Sequence, residues 1–239
     1  MIEIKHIQKK FGRLVALNDV NLSFVAGETI ALIGPNGSGK TTLIKTILGL
    51  VIPDKGDVLF QTKSVLGQWK YREKIGYMPQ IGRYPDNMRI GQIIDMMVDL
   101  RKDTITRTDE ELMDSLGIRS IMDKPMRTLS GGTRQKVSAC LAFMFHPDVL
   151  ILDEPTAGLD PLSSEILKDK MSKEKDKGKL ILITSHILSD LDDLVTEVVY
   201  MQDGLVRYHE TTAMLQEQTG ERKLNKVIAE LINRHMEKV

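Results

Sequence analysis

Residues 34–41 read GPNGSGKT, glycines followed by a lysine and a threonine at the spacing G-x-x-x-x-G-K-T. That pattern is suited to holding phosphate. Gly34, Gly37 and Gly39 let the backbone curl tightly enough to turn successive N–H groups toward an anion, and a following helix adds the positive end of its dipole. Lys40 would reach the β- and γ-phosphates of a nucleotide and Thr41 would offer its hydroxyl to Mg²⁺, with Pro35, Asn36, Ser38 and Thr42 completing the loop. A second set of charges stands at Asp153 and Glu154, directly after the apolar run Val149–Leu152. A carboxylate at the C-terminal end of a buried strand lies where open α/β sheets bind ligands, so Asp153 is placed to help hold Mg²⁺. Glu154 would take a proton from an attacking water or hold that water in line.

Positioning these groups requires strands that end at them. The apolar runs Val20–Phe24, Thr29–Ile33, Asp57–Phe60, Val149–Leu152 and Lys179–Thr184 are short and bounded by turn residues, and several read as strands buried on both faces. Ile2 and Ile4 alternate with charged residues, which reads as an edge strand. Helical periodicity fills the middle of the chain: Ile90, Ile93, Ile94, Met97 and Val98 form one stripe, and Val137, Cys140, Leu141 and Met144 another. Thr108 and Glu111 have capping-box spacing for a helix carrying Leu112, Met113 and Leu116 and closed by Gly117. Asp160 followed by Pro161 predicts an N-cap and a helix running to about Gly178. The alternating charges of Lys168–Lys179 read as a solvated face of that helix. Asp203-Gly204 predicts a hairpin turn, and Leu224, Val227, Ile228, Leu231 and Ile232 predict a final amphipathic helix.

The chain has 239 residues, with 33 Lys+Arg against 33 Asp+Glu, so no excess of positive charge drives association with nucleic acid. One cysteine cannot form an internal disulfide, and there is no Cys/His cluster at metal-ligand spacing, which points to a reducing compartment. No signal-peptide pattern opens the sequence, and no apolar run approaches the roughly eighteen to twenty residues that span a bilayer. Any membrane role is therefore expected to come through partner chains.

Further motifs follow in a fixed order: LSGGT (Leu129–Thr133), VLILDEP (Val149–Pro155), AGLD (Ala157–Asp160) and TSH (Thr184–His186). With the phosphate loop, this order resembles the ATP-binding cassette (ABC) ATPases from about residue 1 to about residue 210. The resemblance implies an α/β P-loop NTPase fold: a RecA-like core with a mostly parallel sheet, added antiparallel strands and a helical insertion. On that pattern residues 1–84 and 148–215 form the nucleotide-binding core, 85–147 the insertion with the signature, and 216–239 a C-terminal helix. It also implies roles for single residues. Gln80 would sense Mg²⁺ and the attacking water. Ser130, Gly131 and Gly132 would face the γ-phosphate bound to a second subunit, in a head-to-tail homodimer or heterodimer. His186 would contact the γ-phosphate and help position Glu154. Phe11 would stack on adenine, and Asp160 would communicate across the dimer while also serving as an N-cap. Thr133 departs from the usual Gln, with a modest effect expected because Ser130 and the glycines supply the donors.

The implied activity is ATP hydrolysis, with ATP and Mg²⁺ bound, in a subunit that powers transport through separate membrane permease subunits from the cytoplasmic face. Tyr77, Met78, Ile81 and Tyr84 around Gln80 either receive an apolar partner helix or belong to the core. YMPQIGRYPDNM and LSGGTRQKVSACLAF are further similar to the ATPase subunits of transporters serving maturation of the copper enzyme nitrous-oxide reductase. That narrower likeness implies export of a copper- or sulfur-related cargo. The alternative is a soluble ABC-type ATPase, such as one for iron–sulfur assembly.

Overall fold

The computed structural model describes residues 1–105, 107–185 and 191–236, with side chains as far as residue 230. In chain order its strands and helices are β1 (Ile2–Phe11), β2 (Leu14–Phe24), β3 (Thr29–Ile33), α1 (Lys40–Ile47), β4 (Lys55–Phe60), β5 (Lys63–Ser64), β6 (Ile75–Met78), α2 (Ile90–Arg101), α3 (Glu111–Ser115) and α4 (Gly131–Phe143). They continue with β7 (Val149–Asp153), α5 (Pro161–Asp176), β8 (Leu180–Thr184), β9 (Glu197–Gln202), β10 (Leu205–Thr211), α6 (Thr212–Thr219) and α7 (Leu224–Met236). Two compact units result, residues 1–69 with the chain from Leu182 onward, and residues 70–181.

The first unit carries two sheets. One is antiparallel, in the order β2-β1-β4-β5, and the other runs β10-β9-β3-β8 with β3 and β9 parallel. β1 is thus an inner strand, paired with β2 on one side and β4 on the other, and not the edge strand its alternating pattern suggests. Alternation reports one buried face, which an inner antiparallel strand shares with an edge strand. Ile2, Ile4 and Ile7 supply that buried face. All five residues of β3 are buried, and Asp203 and Gly204, both in the left-handed region, close the β9–β10 hairpin. In α7 Leu224, Val227 and Ile228 are buried, while the side chains of Leu231 and Ile232 lie outside the described set.

The second unit pairs β6 with β7 in parallel, Met78 opposite Leu152, and packs helices around them. α2 and α4 follow the predicted stripes, with Ile90, Ile93, Val137 and Cys140 buried. Burial pushes the Cys140 thiol up to about 12, which marks it as a core residue. The expected capping box at Thr108 does not form: α3 starts after Glu110 with no side-chain cap, and the Thr108 hydroxyl turns to Glu110 instead. Glu111 is taken up elsewhere, by Lys170 at 2.7 Å and Lys173 at 2.5 Å on α5. Gly117 closes the segment in the left-handed region as expected.

α5 also corrects the reading of Lys168–Lys179 as a solvated face. Lys170 and Glu174 are each only 1% exposed and 3.3 Å apart, and Lys170 reaches Asp109 at 2.5 Å. Burial alone would push the Glu174 carboxyl up, but the ammonium groups of Lys177, Lys179 and Lys170 hold it at about 2. The alternating charges are thus partly an internal network that ties α5 to the segment before α3.

Candidate active site

In the first unit the phosphate loop joins β3 to α1, and its shape is set by the backbone. Gly34 has φ +146°, and a β-carbon there would lie 2.0 Å from the carbonyl oxygen of Met201 on β9. Only glycine fits. The loop is held from the other side by the hairpin turn, since the Gly204 N–H donates to the Ser38 carbonyl at 3.1 Å and the Asn18 N–H to the Gly204 carbonyl at 2.8 Å. Sequence reasoning found the turn at Asp203-Gly204 but not its service to the loop, because nothing in a hairpin dipeptide says what it rests against.

Gly39, left-handed, precedes α1, and no side chain caps that helix, so its first-turn N–H groups are suited to an anion. The Lys40 ammonium rests across the loop on the carbonyls of Gly34 at 2.7 Å and Pro35 at 3.1 Å. Ser38 Oγ is buried and has no hydrogen-bond partner among the described residues. An uncapped helix start, a lysine folded over the loop and an orphaned buried hydroxyl together fit a polyphosphate. Phe11, at the end of β1, is 49% exposed, with the Lys9 ammonium 5.4 Å above its ring.

In the second unit Asp153 and Glu154 lie at the C-terminal end of β7, both buried. Gln80 is exposed two residues beyond the end of the paired strand β6, so the same end of this parallel pair carries all three. Burial and the neighbouring Asp153 charge push the Tyr77 hydroxyl up to about 12, keeping it neutral beside the carboxylate. Glu154 adopts φ +54°, uncommon for a residue with a β-carbon. Met78 is fully buried and belongs to the interior, Tyr84 is half-buried and bonds Ser138 at 2.7 Å, and Ile81 is 68% exposed.

The signature opens α4. Ser130 is the N-cap, its Oγ accepting from the Thr133 N–H at 3.2 Å, and the Thr133 hydroxyl adds a 2.9 Å bond to the same atom. Thr133 thus reinforces the cap. Ser130 and Gly131 are exposed, and Gly132 is partly so. Asp160 caps α5 through the Ser163 N–H at 2.9 Å, with Pro161 first in the helix, and also meets the Lys136 ammonium at 2.8 Å. Those partners, Lys136 first, hold the Asp160 carboxyl well below the usual carboxylate range. Gln135 and Lys136, which the sequence reading passed over, both reach from α4 to the turn that begins at Glu154. His186 lies outside the described residues.

The family model for the ABC transporter matches residues 17–157. A lantibiotic transport ATP-binding protein of Streptococcus pyogenes is 32% identical over 215 residues, spanning 86% of this chain and 89% of that protein. Among solved structures, an ATP-binding subunit of an ABC transporter superposes with a TM-score of 0.86 at 27% identity, over 97% of this chain and 99% of that one. A dimeric bacterial ABC transporter cassette, 24% identical, shares the fold with a TM-score of 0.77 over 88% of this chain and 98% of its own. The chain belongs to the ABC transporter family and is an ATP-binding, ATP-hydrolysing subunit of that kind.

Proposed function

We propose that this ABC transporter ATPase binds ATP through Gly34–Thr42, stacks adenine on Phe11, and hydrolyses the γ-phosphate with Glu154 as the base. The observation that carries the reading is the phosphate loop: a glycine-shaped backbone, an uncapped helix start and Lys40 folded over the loop. Lys40 would exchange the Gly34 and Pro35 carbonyls for β- and γ-phosphate oxygens, so that its ammonium meets ionised acceptors in place of neutral ones. Thr41, Asp153 and Gln80 would hold Mg²⁺, which would neutralise phosphate charge. Glu154 accepts the proton of the water that attacks the γ-phosphorus, and ADP leaves with the electrons of the broken P–O bond. His186 and Gln80 keep that water in line.

Ser130, Gly131 and Gly132 are proposed to close on the nucleotide of a second subunit, with Asp160 relaying between the two. An exposed serine-capped helix start with a flanking glycine is suited to a γ-phosphate arriving from outside the chain. Closing on ATP and opening after hydrolysis would then move membrane subunits encoded separately, because the closed state's preference for ATP over ADP supplies the differential affinity. Among the described residues no helix is long and apolar enough to cross a membrane. A cargo linked to nitrous-oxide reductase maturation or copper handling is proposed on the strength of the YMPQIGRYPDNM and LSGGTRQKVSACLAF likeness alone.

Purification of the tagged chain from membranes tests the transporter reading. A polytopic membrane protein should copurify at a fixed ratio. Recovery of the chain only with soluble iron–sulfur assembly proteins would overturn the reading in favour of the soluble alternative.

A further inference from the structure

Helix α4 meets the turn from Glu154 to Asp160 at three points. At the far end Lys136 pairs with Asp160 at 2.8 Å. In the middle Gly132 lies against Gly158, where a β-carbon would come within 2.6 Å of the Gly158 carbonyl oxygen. At the near end Gln135, 5% exposed, donates from Nε2 to the Glu154 carbonyl oxygen at 3.2 Å. The Ala157 N–H donates to that same oxygen at 3.2 Å, so one donor comes from the turn and one from α4.

Both donors fix the peptide plane after a residue that is strained. A left-handed backbone is strained for a residue with a β-carbon, and it persists only where the surroundings over-determine it. The direction of the Glu154 side chain follows from its φ and ψ, so tilting that peptide swings the carboxylate. We infer that Gln135 is a positioning residue for hydrolysis, holding the Glu154 peptide so that its carboxylate aims at the attacking water. Because Gln135 is five residues beyond Ser130 on one helix, the same rigid element that carries the signature also sets the base. The inference rests on the reading of Glu154 as the base.

Gln135→Met keeps the length of the side chain and deletes the donor. In the full-length chain with its copurifying partners, kcat for ATP should fall about tenfold to a hundredfold, as misplacement of a reacting group does, while KM stays within about twofold. In a Glu154→Gln background the same substitution should add no further loss, because no base remains to be aimed. An unchanged kcat, a rise in KM with kcat intact, or a full additional loss in the Glu154→Gln background would each overturn the inference. Should Gln135→Met not fold, Gln135→Glu takes its place. Its buried carboxyl donates only when protonated, so kcat relative to the unsubstituted chain should rise as pH is lowered from about 8 to about 6. A flat ratio overturns it. Normal turnover by Glu154→Gln alone sinks the base reading whatever Gln135 does, whereas a slow Glu154→Gln with an unimpaired Gln135→Met sinks this inference only.

Discussion

The phosphate loop and the turn from Glu154 to Asp160 are both short connections from a buried strand to a helix, yet they are held in different ways. The loop is shaped by what its residues lack: Gly34 has no β-carbon to strike Met201, and Gly39 offers no side chain to cap α1. The turn is shaped by what a neighbouring helix adds, namely the Gln135 amide at its start and the Lys136 ammonium at its end. Backbone shape tolerates almost no substitution, whereas side-chain ties fail by degrees. On the proposed function, binding a fixed anion needs the first, and a base that must be aimed is served by the second.

Substitutions in the two regions should separate accordingly. Gly34→Ala should be the most damaging, since the added carbon has neither space nor an accessible backbone conformation. A loss of about 4 kcal/mol in stability or complete loss of ATP binding is expected, measured by denaturant melts and nucleotide titration. Tolerance of alanine there would break the contrast. Lys170→Met should come next, about 3 kcal/mol, because it leaves Asp109 without this buried cation and takes one of three ammonium partners from Glu174. None of the residues in these ion pairs belongs to the turn, so kcat of the folded protein should hold. Asp160→Ala should cost about 1 kcal/mol through the lost cap. Asp160→Asn should restore the cap but not the bond to Lys136, isolating the ion pair.

Protonation gives a smaller and graded test. The Glu174 carboxyl sits at about 2 when folded against an ordinary 4.5, so it contributes stability above about 4.5 that is lost as pH falls toward 2. Urea melts across that window should show the decline, and Glu174→Gln should flatten part of it. A decline of equal steepness in the variant would assign the acid sensitivity to other carboxylates.

Features encoded by neighbouring residues are legible in the sequence, and those made by distant partners are not. The phosphate loop reads directly, because glycine spacing encodes backbone shape locally, and the Asp160-Pro161 cap and the Asp203-Gly204 turn read for the same reason. The alternation of β1 reported a buried face but not its neighbours, so an inner strand passed for an edge. Thr108 and Glu111 had capping spacing, yet two lysines some sixty positions away took up the glutamate. Gln135 and Lys136 carry no local signal at all. Their partners are 19 and 24 residues distant, and only the fold brings them together.

ATP binding and single-turnover hydrolysis, measured side by side in Glu154→Gln, give the most direct test of Glu154 as the base. Affinity for ATP should stay within about twofold while hydrolysis slows by about a hundredfold or more, the usual contribution of a positioned base. Hydrolysis at the rate of the unsubstituted chain would contradict it.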